Sequence, residues 1–160
     1  MKTIIAQPLT ADQFDSYGEV IELGSAKEIS INRGKCIRHH ALATADVEGD
    51  VGLSIFAGQP YALPHIVDLV ERHPLGSQAF YPLGQHDWLV VVCADADGKP
   101  IDPQAFLATA SQGVNIARNT WHGVLTPLVE PSNFLVMDRV SDGPNLEEFD
   151  LTEPFQVRLP

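Results

Sequence analysis

The segment Trp88-Leu89-Val90-Val91-Val92-Cys93 is six consecutive apolar residues, closed by Asp95-Ala96-Asp97-Gly98-Lys99-Pro100. It is too short and too rich in β-branched residues for a buried helix, and the Asp/Gly/Pro cluster after it is a turn signal. A strand that is apolar on both faces must lie in the middle of a sheet with material packed on each side, so the chain has to build at least two layers around it.

The remaining apolar runs are short and separated by Gly, Pro, Asn and Asp. Strands are predicted at 19–23, 29–31, 35–40, 51–57, 65–71, 78–81, 113–117, 124–128 and 134–140, in addition to 88–94. Thr10-Ala11-Asp12-Gln13 has the form of a capping box and predicts one short helix, with Gly18 ending its turn in a left-handed conformation. Pro103 to Ala110 is the other helical candidate, with Phe106 and Leu107 inward. Glu147 to Asp150 reads as a solvated acidic loop, and Phe155 to Leu159 as an added edge strand. So many strands with so few helices predict a mainly β sandwich or barrel. At 160 residues with no internal repeat or linker, the expectation is one domain over 1–160.

Ten Lys+Arg against 21 Asp+Glu give a formal charge of -11, which argues against nucleic acid or an anionic membrane as partner. An acidic small-molecule ligand would need some of the six arginines at its site, and Arg38, Arg72, Arg118 and Arg139 are the ones to track. The two cysteines, Cys36 and Cys93, have no CxxC spacing and read as buried, reduced thiols. The N-terminus is too brief in apolar residues for a signal peptide, and no run approaches the roughly 20 apolar residues that span a bilayer, so the expected location is cytoplasmic.

Glu71 and His73 are two apart, so on an extended strand they project from one face. Gln78 and the distant His122 join them only if the sheet curls around a pocket. Glu71 and His73, followed by Gln78 and Gly84, and then Gly113 to His122 with Asn119-Thr120-Trp121 in a turn, resemble in degraded form the two motifs of the cupins. That resemblance implies a double-stranded β-helix, or jelly-roll barrel, with one or two short helices.

More distinctive are the words Glu71-Arg72-His73-Pro74-Leu75-Gly76-Ser77-Gln78-Ala79-Phe80, Gln112-Gly113-Val114-Asn115, Arg118-Asn119-Thr120-Trp121-His122 and Phe134-Leu135-Val136-Met137-Asp138-Arg139. With Pro8-Leu9, Phe14 to Gly18, Ile31-Asn32 and Arg38-His39-His40, they resemble the ureidoglycolate lyase family of allantoin breakdown over nearly the whole chain. The resemblance implies a homodimeric carbon–nitrogen lyase that cleaves ureidoglycolate to glyoxylate and urea. It implies a divalent metal, nickel in this family, held by Glu71, His73 and His122 with Gln78 as a weaker donor, and no organic cofactor.

Glu71, His73 and His122 are the expected catalytic groups, with His73 or His122 as base and Glu71 as its partner. Arg38 and Arg139, with Asn32, Ser54 and Gln78 as neutral donors, are the expected substrate contacts; Arg72 is expected to face away by strand alternation. His39, His40, His65 and His86 read as structural or surface residues, Trp121 as a core or pocket wall, and Asp138-Arg139 as an ion pair or a dimer contact. Alternatives are an amidohydrolase releasing ammonia and CO2 from the same substrate, a non-catalytic cupin binding module, and a metal-dependent sugar isomerase or dioxygenase.

Overall fold

Alternating burial along successive short segments organises the computed structural model, which describes residues 1–24 and 26–160. In chain order the elements are β1 (Lys2–Ile5), β2 (Gln7–Pro8), α1 (Ala11–Phe14), β3 (Gly18–Ile21), β4 (Glu28–Ile31), β5 (Cys36–His39), β6 (Val51–Gly58), β7 (His65–Arg72) and β8 (Gln78–Pro82). They continue with β9 (Trp88–Ala96), β10 (Lys99–Ala108), β11 (Gly113–Ile116), β12 (Trp121–His122), β13 (Thr126–Pro127), β14 (Ser132–Arg139) and β15 (Glu147–Arg158).

One sheet runs β1-β15-β7-β12-β9-β10-β2, with β13 also on β9, and a second runs β3-β11-β8-β14-β6. The hairpin β4–β5 forms a ribbon of its own. Strand β9 is central, as its sequence requires, and its two faces serve two cores. Trp88, Val90 and Val92 meet Phe80, Val114, Ile116, Phe134 and Val136 of the second sheet. Leu89, Val91 and Cys93 pack instead with Val67, Val70, Ala105, Trp121, Phe155 and Val157, all from the larger sheet, which curls to enclose them. The result is a two-sheet, cupin-like jelly-roll barrel.

The predicted helix forms as α1, with the Thr10 hydroxyl accepting from the Gln13 backbone N–H. Gly18 does not end it in a left-handed turn. It opens β3 with φ +151°, where a Cβ would collide with the Asn115 carbonyl oxygen. Gly18→Ala is therefore expected to cost about 3 kcal/mol in a urea titration, from combined strain and clash; a change under about 0.5 kcal/mol would contradict this reason for the glycine.

Three expectations are corrected by strand pairing. Residues 103–110 are not helical: β10 pairs along β9 from Lys99↔Ala96 to Ala108↔Trp88, and a register shift between Ile101 and Gln104 accommodates Pro103. Phe106 and Leu107 therefore lie on opposite faces, one in each core. The acidic stretch 147–150 is not a loop, because Glu147 pairs with Arg72 across the ladder and Glu148 with Glu71. The tail is not an edge either, since β15 lies between β7 and β1. Cys36, expected to be buried, is exposed on β5, whereas Cys93 is buried and its thiol pKa is pushed up to about 12 by desolvation.

Candidate active site

Strand register brings the predicted residues to one place. His122 lies directly across from Glu71 on one side and Val92 on the other. Opposed residues share a face, and Val92 belongs to the core between the sheets, so Glu71 and His122 point inward at one end of the barrel. His73 follows by period-two alternation. The second sheet contributes Gln78 from the start of β8 and Asp138 from β14.

Glu71, His73 and His122 each bring a ligand atom within 4.8 Å of the others. His73 Nε2 lies 3.8 Å from Glu71 Oε1 and 3.1 Å from Gln78 Oε1, and Gln78 Nε2 donates to Asp138 Oδ2 at 3.0 Å. The His73 and His122 rings are 5.3 Å apart, centre to centre. Asn119, at φ +63° in the turn before β12, donates its backbone N–H to the His73 carbonyl and so ties the two motif segments together.

The hydrogen bonds fix which ring nitrogens are free. His122 Nδ1 faces the Gly123 carbonyl at 2.9 Å and must carry the proton, so Nε2 bears a lone pair; that atom is buried and has no partner among the described residues. Burial drives the His122 pKa down to about 4, helped by the neighbouring His73, so the ring is neutral. His73 Nδ1 donates likewise to the Asn145 carbonyl at 2.8 Å. With Nδ1 as donor, a singly protonated His73 ring turns its Nε2 lone pair to the Gln78 carbonyl oxygen, two acceptors face to face, whereas a doubly protonated ring donates there.

That arrangement fits a divalent ion. Two donors 3.1 Å apart have the separation expected when both bind one ion at about 2.1 Å. Two imidazoles, a carboxylate and an amide oxygen form a mixed N/O set suited to a first-row transition ion. The carbonyls of Gly123 and Asn145 act as outer partners that set the tautomer of each ring.

Glu71 has its pKa raised, chiefly by desolvation, with His73 opposing and Glu148 adding to the rise. The neutral His122 makes stability depend on pH. Its folded pKa is about 4 against about 6.5 unfolded, so between those values the unfolded chain binds the extra proton. In ion-stripped protein, stability should fall by about 3 kcal/mol as pH drops from 6.5 to 4. His65, also lowered by burial, adds to the fall, and Glu71, whose raised pKa favours protonation of the fold, partly offsets it. Urea midpoints that stay flat or rise over this interval would contradict the neutral, buried His122.

The other predicted residues are dispersed. Arg72 faces away, stacked 4.4 Å over Trp121 and paired with Asp95 and Glu147. Asp138 and Arg139 form no ion pair with each other: alternation sends Asp138 toward Gln78, while Arg139 donates to the carbonyls of Glu48, Ser141, Asp142 and Gly143. Arg118 binds Asp46 and Glu48. Ser54, opposite Val136, faces the interior, but Asn32 and Arg38 are exposed on the β4–β5 hairpin. His39 and His86 have carboxylate neighbours in Glu28 and Glu130, and His65 stacks on Tyr61. Sequence reasoning missed Asp138 as the anchor of Gln78, Asn145 and Gly123 as orienting carbonyls, and Glu148. The period-two pattern of β14 was the available signal for Asp138; nothing local announces a backbone carbonyl.

The family model described as Ureidoglycolate lyase matches residues 1–158. The chain belongs to the ureidoglycolate lyase family. Among relatives in the family, the ureidoglycolate lyase of Chelativorans sp. (strain BNC1) is 52% identical over 163 aligned positions, covering 100% of this chain and 99% of the relative. That of Mesorhizobium japonicum is 48% identical, covering all of both chains. Among solved structures, the dTDP-6-deoxy-D-glucose-3,5-epimerase RmlC of Legionella pneumophila aligns with 82% of this chain and 76% of its own at TM-score 0.46 and 12% identity.

Proposed function

We propose that this protein is a ureidoglycolate lyase, releasing glyoxylate and urea, with Glu71, His73 and His122 as its catalytic centre. The observation that carries the reading is the convergence of these three side chains, with the His122 Nε2 lone pair buried and unpartnered, in a chain of this family. The unit is the single domain 1–160, working as a cytoplasmic homodimer on a small-molecule substrate.

In ureidoglycolate one carbon carries a carboxylate, a hydroxyl and a ureido nitrogen. Cleavage moves the hydroxyl proton to a base, turns the C–O bond into C=O, breaks the C–N bond and protonates the departing nitrogen. No water is consumed. Glu71 suits the proton transfer: with its pKa raised it is a stronger base than an ordinary carboxylate and, once protonated, an acid for the urea nitrogen. The Asn145 and Gly123 carbonyls fix the two rings so that their Nε2 atoms face the site, and Gln78, held by Asp138, adds a positioned amide. Glu71, His73 and His122, with Gln78 beside them, would hold a divalent ion, which would polarise the hydroxyl oxygen and lower its pKa.

The test is glyoxylate release by a Glu71→Gln, His73→Ala double variant. Loss of turnover in a folded variant is expected; full turnover would remove these residues from the chemistry and favour a binding module.

A further inference from the structure

The β4–β5 hairpin stands apart from both sheets. Among the described residues its strands pair only with each other, and in the segment 27–40 just Ile29 and His39 are as much as half-buried. A two-stranded ribbon alone in water is marginal. Cross-strand pairing Ile29↔Arg38 and Ile31↔Cys36 puts these four side chains on one face, so a single guanidinium sits among apolar neighbours.

The segment is also opposite in charge to the rest of the chain. Lys27, Arg33, Lys35 and Arg38 stand against Glu28 alone, a net +3, leaving six basic and 20 acidic residues elsewhere, a net -14. A basic arm with an apolar face finds its complement on the acidic body of a second copy.

A receiving edge is present. Strand β6 ends the five-stranded sheet with one side unpaired, and Val51, Leu53 and Ile55 are 47%, 71% and 56% exposed. Long apolar edges of this kind are normally covered. The edge also borders the site, because Gly52 pairs with Asp138 and Ser54 faces inward. Arg72, Arg118 and Arg139 are all engaged elsewhere, whereas a substrate carboxylate calls for a guanidinium.

We propose that the β4–β5 hairpin of one copy docks along the β6 edge of a second copy and supplies Arg38 to the substrate carboxylate in that copy's site. The carboxylate role rests on the ureidoglycolate reading above; the docking does not. Each active site is thus built from two chains, which explains why the hairpin is folded yet unpacked within its own.

The test is a purified heterodimer of differently tagged Arg38→Ala and His122→Ala chains, assayed for glyoxylate release. Each homodimer is expected to be inactive or strongly impaired, Arg38→Ala mainly through KM raised at least tenfold. The heterodimer is expected to recover about half the wild-type activity, since the Arg38→Ala body receives an intact arm. Recovery below one-twentieth, with a tagged wild-type dimer fully active, would overturn the proposal and leave the ureidoglycolate reading standing. If wild type releases no glyoxylate, that reading fails, and docking is decided by sedimentation. Wild type is expected at twice the 17.4 kDa chain mass and Leu53→Glu at the monomer mass; a monomeric wild type, or a Leu53→Glu variant that stays dimeric, would overturn the docking.

Discussion

His122→Ala is expected to lower kcat/KM for ureidoglycolate by roughly 10³-fold while leaving a cooperatively folded protein. His122 is 2% exposed, its tautomer is set by the Gly123 carbonyl, and its free Nε2 has no other partner, so no neighbour can replace it. The same substitution should abolish calorimetric binding of Ni2+, the probe ion, because it removes one of the two imidazoles in the donor set. Truncating a buried ring also leaves a cavity costing on the order of 2 kcal/mol, so activity and urea unfolding must be measured together. A kcat/KM within tenfold of wild type, or unchanged Ni2+ affinity, would contradict the placement of His122 at the centre of the site.

Glu71→Gln should have an effect of similar size but a different signature. It keeps the shape of the side chain and removes its charge, so kcat is expected to fall roughly 10²- to 10³-fold with KM little changed, the pattern for a group that acts in the transition state. In wild type the carboxylate must be ionised to accept the hydroxyl proton, so the rate should fall as pH drops through the Glu71 pKa, which desolvation raises from the usual glutamate value. Glu71→Gln should lack that acid limb. An identical limb in the variant would assign the titration, and the proton transfer, to another group.

What the sequence made legible was what period-two alternation and a long apolar run can encode. Trp88 to Cys93 declared a strand buried on both faces, and the Glu71/His73 spacing declared a shared face; the structure adds His122 through ladder pairing with Glu71. The misreadings arose where partners distant in sequence decide the outcome. Residues 103–110 have helical spacing, but β9 offers a backbone ladder along their length, and Pro103 sits where the ladder shifts register. Glu147 and Glu148 look solvated until β15 meets β7, where Arg72 neutralises Glu147. Arg139 looked available for a ligand because sequence alone does not show four carbonyls converging on one guanidinium. Cys36 shares the apolar pattern of a core strand, yet its strand belongs to the isolated hairpin.

Residue types do not separate a lyase from an amidohydrolase acting on the same compound; the products do. The most direct measurement is incubation of metal-analysed protein with racemic ureidoglycolate, following glyoxylate, urea and ammonia together against an enzyme-free control. Glyoxylate and urea are expected in equal amounts above that control, with ammonia at the control level. Ammonia in place of urea, or no acceleration with or without added Ni2+, would contradict the lyase reading.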